Sequence, residues 1–406
     1  MAPGESARIG VTGLGLVSPL GDTPQGAWAR LMAGESAIRR MSFEGLPDIA
    51  AAQVAFDPSK VLGKLQQVGT ERVSLMALDA VRRALVDAGI AAWDDPQRVG
   101  LYLGTGMGGA ATIDAGYAAL YGGKRIPPLT VPASMVNGAA AVTALHTGIR
   151  GPVITYAVAC ASSAVAIAEA AHALRRGEVD IAVAGGAEAA LARGTVVAWQ
   201  ALRTLAPPDE GDPARSCRPF SPDRSGLVLG EGAAFVVLRR EGEGGPAPRA
   251  WLSGSAVRCD AAHLTNPHVE GQVAALGAAI RMAGLAPADI GYCNAHGTAT
   301  LAGDPVECEA LRRVWGDAAT GLALSSTKAA HGHLLGAAGA LEAVWTILAL
   351  QNAELPPTAG VSRIDPACAG FDHVLGQGRP APGLRHAASN SFAFGGTNTT
   401  LIFSRT

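Results

Sequence analysis

Hydrophobic and polar positions along the chain fall into short apolar runs of strand length, separated by longer Ala-rich stretches with helical spacing. Arg8–Val17, Val99–Gly104, Gly151–Ala157, Ile181–Ala184 and Ala233–Leu238 are the apolar runs, and they predict strands buried on both faces. Glu71–Ala88 brings Val73, Met76, Ala77, Ala80, Ala84 and Leu85 to one helical face, and Ser163–Arg176 predicts a second helix. Alternation of the two patterns predicts an α/β protein with buried sheets.

The second part of the chain repeats the grammar of the first. Leu227–Leu238 (LVLGEGAAFVVL) and Phe392–Phe403 (FAFGGTNTTLIF) are both Gly-rich turns followed by apolar runs. A strand leads into Cys160 and a helix leaves it; Ala323–Ser326 leads likewise into Lys328 and a small-residue helix. Between the two parts, Glu241–Ala250 (EGEGGPAPRA) combines charge with three glycines and two prolines and reads as a linker, which predicts halves at residues 1–245 and 246–406.

Composition narrows the function classes. The 406 residues suit two domains, and 49% hydrophobic against 16% charged residues excludes a disordered chain. With 32 basic and 34 acidic side chains the net charge is −2, so nothing draws the molecule to nucleic acid. A mean hydropathy of +0.23 makes a membrane span worth testing. Gly151–Ala168 has no formal charge, yet Pro152, Thr155, Tyr156, Ser162 and Ser163 make it a strand entering a buried helix. The first ten residues lack an apolar signal core, and the expectation is a cytoplasmic protein without a membrane segment. Six scattered cysteines with no CxxC spacing argue against a disulfide framework and a structural zinc site.

Four segments concentrate chemistry. In TYAVACASS (Thr155–Ser163) a strand ends on Cys160 and a helix begins, so the helix N-terminus is expected to lower the thiol pKa; the same cysteine taken alone reads as buried filler. NAHGTAT (Asn294–Thr300) puts His296 on a loop at a strand end, with Asp304 and Glu307 downstream. SSTKAAHGHLLGAAGA (Ser325–Ala340) crowds Lys328, His331 and His333 ahead of a small-residue helix. SNSFAFGGTN (Ser389–Asn398) brackets Ala393 with two phenylalanines and follows them with two glycines that let backbone approach a ligand. Cysteine plus histidine alone would also permit a cysteine hydrolase.

Together these segments resemble, over nearly the whole chain, the elongating β-ketoacyl-ACP synthases (KAS I/KAS II) of the thiolase-like superfamily. The likeness runs in order through VTGLGLVSPLG, GTGMGG, VPASMVNG, IRGPVITYAVACASS, VAGGAE, RPFSPDRSGLVLGEGA, NAHGTAT, SSTKAAHGHLLGAAGALEA and NSFAFGGTN. It implies a duplicated, five-layered αβαβα fold with the site at the junction of the halves. The implied reaction is decarboxylative condensation of an acyl-ACP with malonyl-ACP to a 3-oxoacyl-ACP. Cys160 would be the nucleophile, and His296 and His333 would bind the malonyl thioester and promote loss of CO2. Lys328 would support His296, Glu307 would order the network behind it, and the backbone N–H groups of Cys160 and Phe394 would form the oxyanion hole. Phe394 would also gate entry, and Thr265 would bind the phosphopantetheine arm. That arm arrives on the acyl carrier protein, and no other cofactor is implied. Lys60, Lys64, Arg72, Lys124 and Arg125 are the residues expected to meet the carrier, and a homodimer, or a heterodimer with a chain-length-factor-like subunit, is the expected state.

Three positions depart from the family pattern. Val158 replaces a common threonine, Ala393 a common glycine, and Ala330–His331 a common Met-Thr pair. Ala393 raises the question of gate mobility, because alanine tolerates positive φ less well than glycine. Two other readings are a non-catalytic chain-length partner, which the retained Cys160, His296, Lys328 and His333 oppose, and a CoA-dependent thiolase, for which Cys368–Gly370 offers a superficial CxG.

Overall fold

The computed structural model describes residues 7–406. Ten strands form its framework: β1 (Ile9–Val17), β2 (Val99–Gly104), β3 (Val153–Tyr156), β4 (Ile181–Glu188), β5 (Gly232–Arg240), β6 (Ala250–Cys259), β7 (Tyr292–Asn294), β8 (Ala323–Ser325), β9 (His386–Phe392) and β10 (Thr397–Ser404). The helices that matter below are α1 (Arg72–Asp87), α2 (Ala110–Tyr121), α3 (Ser162–Arg175), α4 (Val269–Met282), α5 (Gly303–Trp315) and α6 (Ala338–Asn352).

Strand order exposes a duplication. The first five strands lie in the order β3-β2-β4-β5-β1, and the next five in the order β8-β7-β9-β10-β6, so each half reads third, second, fourth, fifth, first. Directions agree as well. β2 is parallel to β3 and β4, while β5 is antiparallel to β4 and β1. In the second half β7 is parallel to β8 and β9, and β10 is antiparallel to β9 and β6. A short antiparallel pairing of Ile9–Val11 with Ala250–Leu252 joins the halves.

Alternation along the strands builds five layers. On β5, Val236 and Leu238 face an inner core that also holds α3, α6 and, from the second half, Leu401 and Phe403. Phe235 and Val237 face outward, onto Met76, Ala80 and Ala84 of α1. The second half mirrors this: Cys293, Ala388 and Ile402 pack outward against Leu276 of α4 and Leu311 of α5. The order is therefore helix, sheet, helix pair, sheet, helix. Small residues set the thickness of the middle layer, since a Cβ on Gly339 of α6 would lie 2.9 Å from the Ala164 Cβ of α3.

Expected elements largely coincide with these, within one or two residues at most ends, although β4 runs on to Glu188 instead of stopping at Ala184. Helices α2, α4 and α5, the helix Gly138–Thr147 and strand β6 are not among the elements the pattern predicts. On α2, Tyr117, Leu120 and Tyr121 are exposed, so the apolar side chains do not mark one buried face.

Candidate active site

Cys160 occupies the corner Ala159–Ala161 between β3 and α3. Ala159 takes φ +49°, a left-handed conformation that costs an L-residue roughly 1–2 kcal/mol and turns the chain sharply. Ser162 closes the corner: its Oγ accepts from the Val158 N–H at 2.9 Å and donates to the Ala159 carbonyl at 2.6 Å. The backbone N–H of Phe394 is placed to favour a negative charge on the Cys160 sulfur.

The second half supplies the other groups. His296 follows β7, and its loop is clamped by Glu307 of α5, which accepts from the His296 N–H at 2.9 Å and the Gly297 N–H at 2.8 Å. Asn390 of β9 donates to the same carboxylate at 3.1 Å. Lys328 follows β8, is fully buried, and is ion-paired to Glu342 in the interior of α6. Its Nζ also lies 3.5 Å from His296 Nδ1. An ammonium can only donate, so Nδ1 is the acceptor and Nε2 carries the proton that faces the cavity. His333 is held through its backbone N–H, which donates to Val228 O at 2.6 Å, while both ring nitrogens are buried without a partner.

These elements bring three reactive side chains together. The Cys160 Sγ and one nitrogen each of His296 and His333 lie within 4.8 Å of one another, and the two imidazoles meet edge to face at 5.4 Å. They line the buried end of a cavity of about 320 Å³ whose walls include Thr265, Thr298, Thr300, Trp199, Phe392 and Phe394. The donor set would suit zinc, but the Lys328 charge stands beside His296 and opposes a cation there.

Burial dominates the electrostatics. It pushes the Cys160 thiol up to about 12, with Lys328 and the Phe394 N–H pulling only partly in the other direction. The direction is opposite to the depression expected from the helix N-terminus, and its largest cause is burial. Burial, then the Lys328 charge, holds His296 and His333 well below the usual imidazole value, so both are neutral donors. Glu342 is raised to about 7 by burial despite its lysine partner.

Arg72, expected at the carrier surface, keeps its side chain 32% exposed while its guanidinium grips Glu231 through two nitrogens and donates to Val54 O at 2.8 Å. Lys60, Lys64, Lys124 and Arg125 are exposed and lie outside the cavity lining. Ala393 is extended at φ −111°, and the positive φ values of this loop fall on Gly395 and Gly396 at +83° and +80°, so the Cβ at 393 strains nothing in this state. Cys368, the candidate second cysteine of a thiolase, is buried in the outer core beside Cys308 and away from the cavity.

Several site residues were not singled out from sequence. Glu342 was legible as a carboxylate inside an apolar helix (GALEAVW), where only a buried cation could balance it. Glu188 ends β4 and accepts from the N–H groups of Gly106, Met107 and Gly336 at 2.7, 3.1 and 3.0 Å, tying the first half to the segment just after His333. Thr298 and Thr300 share the cavity wall with Thr265.

Comparison with known proteins agrees with this architecture. Residues 6–243 match the family model for the N-terminal domain of β-ketoacyl synthase and residues 249–362 that for its C-terminal domain. A 3-oxoacyl-[acyl-carrier-protein] synthase 2 of Coxiella burnetii is 36% identical over 99% of both chains, and a nodulation protein E of a Rhizobium species is 38% identical over 98% of both. Among solved structures, a β-ketoacyl synthase from Burkholderia phymatum superposes with a TM-score of 0.90 at 34% identity, covering 98% of this chain and all of that one. The ishigamide ketosynthase/chain length factor gives 0.91 at 30%, covering 99% and 100%. Duplicated halves, thiolase-like layers and a cysteine between two histidines thus coincide with matches over the full length, and the chain belongs to the β-ketoacyl synthase family.

Proposed function

We propose that this β-ketoacyl-ACP synthase divides its reaction between the two halves, residues 1–245 loading the acyl chain and residues 246–406 activating the extender. In the first step Cys160 attacks an acyl-ACP thioester; the carbonyl carbon forms a bond to Sγ, the carrier thiol leaves, and the cysteine proton goes to it. The N–H groups of Cys160 and Phe394 stabilise the oxyanion, a contribution of the order of 10²-fold per donor. Malonyl-ACP then enters, and neutral His296 and His333 donate hydrogen bonds to its thioester oxygen while CO2 departs. Those bonds strengthen as the enolate forms, which is why uncharged imidazoles beside a cation suit the step. The enolate carbon attacks the acyl group on Cys160, the C–S bond breaks, and a 3-oxoacyl-ACP two carbons longer leaves.

The observation that carries this reading is the placement of Sγ and the two imidazoles within 4.8 Å at one cavity end, with Lys328 buried behind them. No helix among the described residues is long and apolar enough to cross a membrane. The six unbonded thiols suit a cytoplasmic location. The phosphopantetheine arm would pass Thr265, and no further cofactor enters the scheme. Edge strand β3 exposes Val153 and Ile154, and α2 exposes Tyr117, Leu120 and Tyr121, apolar surface suited to a second copy or a chain-length-factor-like partner. Acyl-ACPs of graded length followed by malonyl-ACP test the reading: intact mass should report acyl-Cys160 and then a lengthened 3-oxoacyl-ACP. Condensation from acetyl-CoA alone would instead make the enzyme a thiolase.

A further inference from the structure

His331 is a third buried imidazole at this site, and the reaction above gives it no task. Its Nδ1 is 2.8 Å from the carbonyl of Gly332, which accepts only; Nδ1 therefore carries the proton. Nε2 is then the acceptor and takes the hydroxyl proton of Thr327 at 3.1 Å. The Thr327 oxygen in turn accepts from Asn294 Nδ2 at 3.3 Å. Each partner adjoins a functional residue. Gly332 forms the peptide bond to His333, Thr327 precedes Lys328, and Asn294 lies two residues before His296. Gly332 takes φ +69°, so the turn that aims His333 is one an ordinary residue would resist, and the carbonyl that His331 grips lies in that turn. The ring is wedged against Trp345 of α6, at 6.4 Å between centroids. A neutral imidazole is also the form compatible with Lys328 next to it; burial holds His331 down to about 3.

We propose that His331 is a positioning residue that locks the backbones carrying His333, Lys328 and His296 into the geometry needed to decarboxylate the extender. This rests on the proposed condensation. It predicts an asymmetry that general destabilisation would not give, because Cys160 lies on the other half and shares no hydrogen bond with this chain of donors.

The test compares the parent with His331→Phe, which keeps the ring volume without hydrogen bonds, and His331→Asn, whose amide can replace the Nδ1 donor to Gly332. For His331→Phe, CO2 release from malonyl-ACP should fall about 10- to 100-fold, the scale of a displacement near 1 Å, with acylation of Cys160 within about twofold of the parent. His331→Asn should recover most of the loss. Amide hydrogen exchange over residues 326–336 should quicken in the phenylalanine variant only. The proposal is overturned if His331→Phe decarboxylates at the parental rate, loses acylation in equal proportion, or is not rescued by asparagine. Failure of the parent to release CO2 would instead strike the condensation reading; exchange would then decide on His331, unchanged protection in the phenylalanine variant overturning its role.

Discussion

Two corners of the molecule occupy equivalent places in the duplicated fold and gather opposite kinds of group. In the first half β3 runs into Cys160 and α3; in the second β8 runs into Lys328 and, past His333, α6. Around Cys160 burial is the largest influence and pushes the thiol pKa up. Around Lys328 stand a buried ion pair, a clamped loop and two imidazoles held well below their usual pKa. Duplication supplied two strand-to-helix corners; in the proposed reaction one would accept the acyl group and the other would stabilise negative charge.

The sharpest break of this comparison is at the reactive atoms. Cys160→Ala should abolish acylation and condensation while leaving the fold intact, because only a sulfur is lost. His296→Ala and His333→Ala should still take an acyl group, yet lose CO2 release by about 10²- to 10⁴-fold. Radiolabelled acyl-ACP and trapped CO2 read the two half-reactions separately.

Next in size is the ion pair. Lys328→Met leaves Glu342 buried alone and should cost about 3 to 5 kcal/mol in denaturant unfolding. Lys328→Met with Glu342→Gln should regain much of that stability while CO2 release stays low, since the charge behind His296 is still missing. Recovery of both together would make the pair purely structural.

Titration separates the corners by sign. With the thiol pushed up to about 12, iodoacetamide labelling of Cys160 should rise about tenfold per pH unit through the weakly alkaline range. A plateau near neutrality would mean that the helix terminus wins after all. Lowered imidazole values act in the other direction: His296 and His333 remain neutral below their usual 6.5, so decarboxylation should hold its rate as pH falls from 7 to about 5.5.

The smallest effect is at the gate. Ala393→Gly should change acylation by less than about twofold, because residue 393 is already extended. Gly395→Ala meets no neighbouring atom but must adopt φ +83°, at a cost of roughly 1–2 kcal/mol, and should alter loading and uncoupled CO2 release about 5- to 30-fold.

Much of this was legible in the sequence because strand runs and motif order carry it. The strand entering Cys160, the helix leaving it, and the loops of His296 and His333 all follow from local pattern. Contacts between distant segments do not. Glu188 reaching Gly336, Asn390 reaching Glu307 and Arg72 turning inward to Glu231 link positions 83 to 159 residues apart, and no local pattern encodes them. The raised Cys160 pKa is illegible for the same reason: a helix terminus is visible in sequence, whereas depth of burial is a property of the assembled halves.

The most direct test is intact mass spectrometry of the His296→Ala, His333→Ala double variant after exposure to acyl-ACP, with CO2 trapped once malonyl-ACP is added. The account predicts one acyl group, mapped to Cys160, and CO2 release no faster than background. Absence of acylation, or release of CO2 at the parental rate, would contradict it.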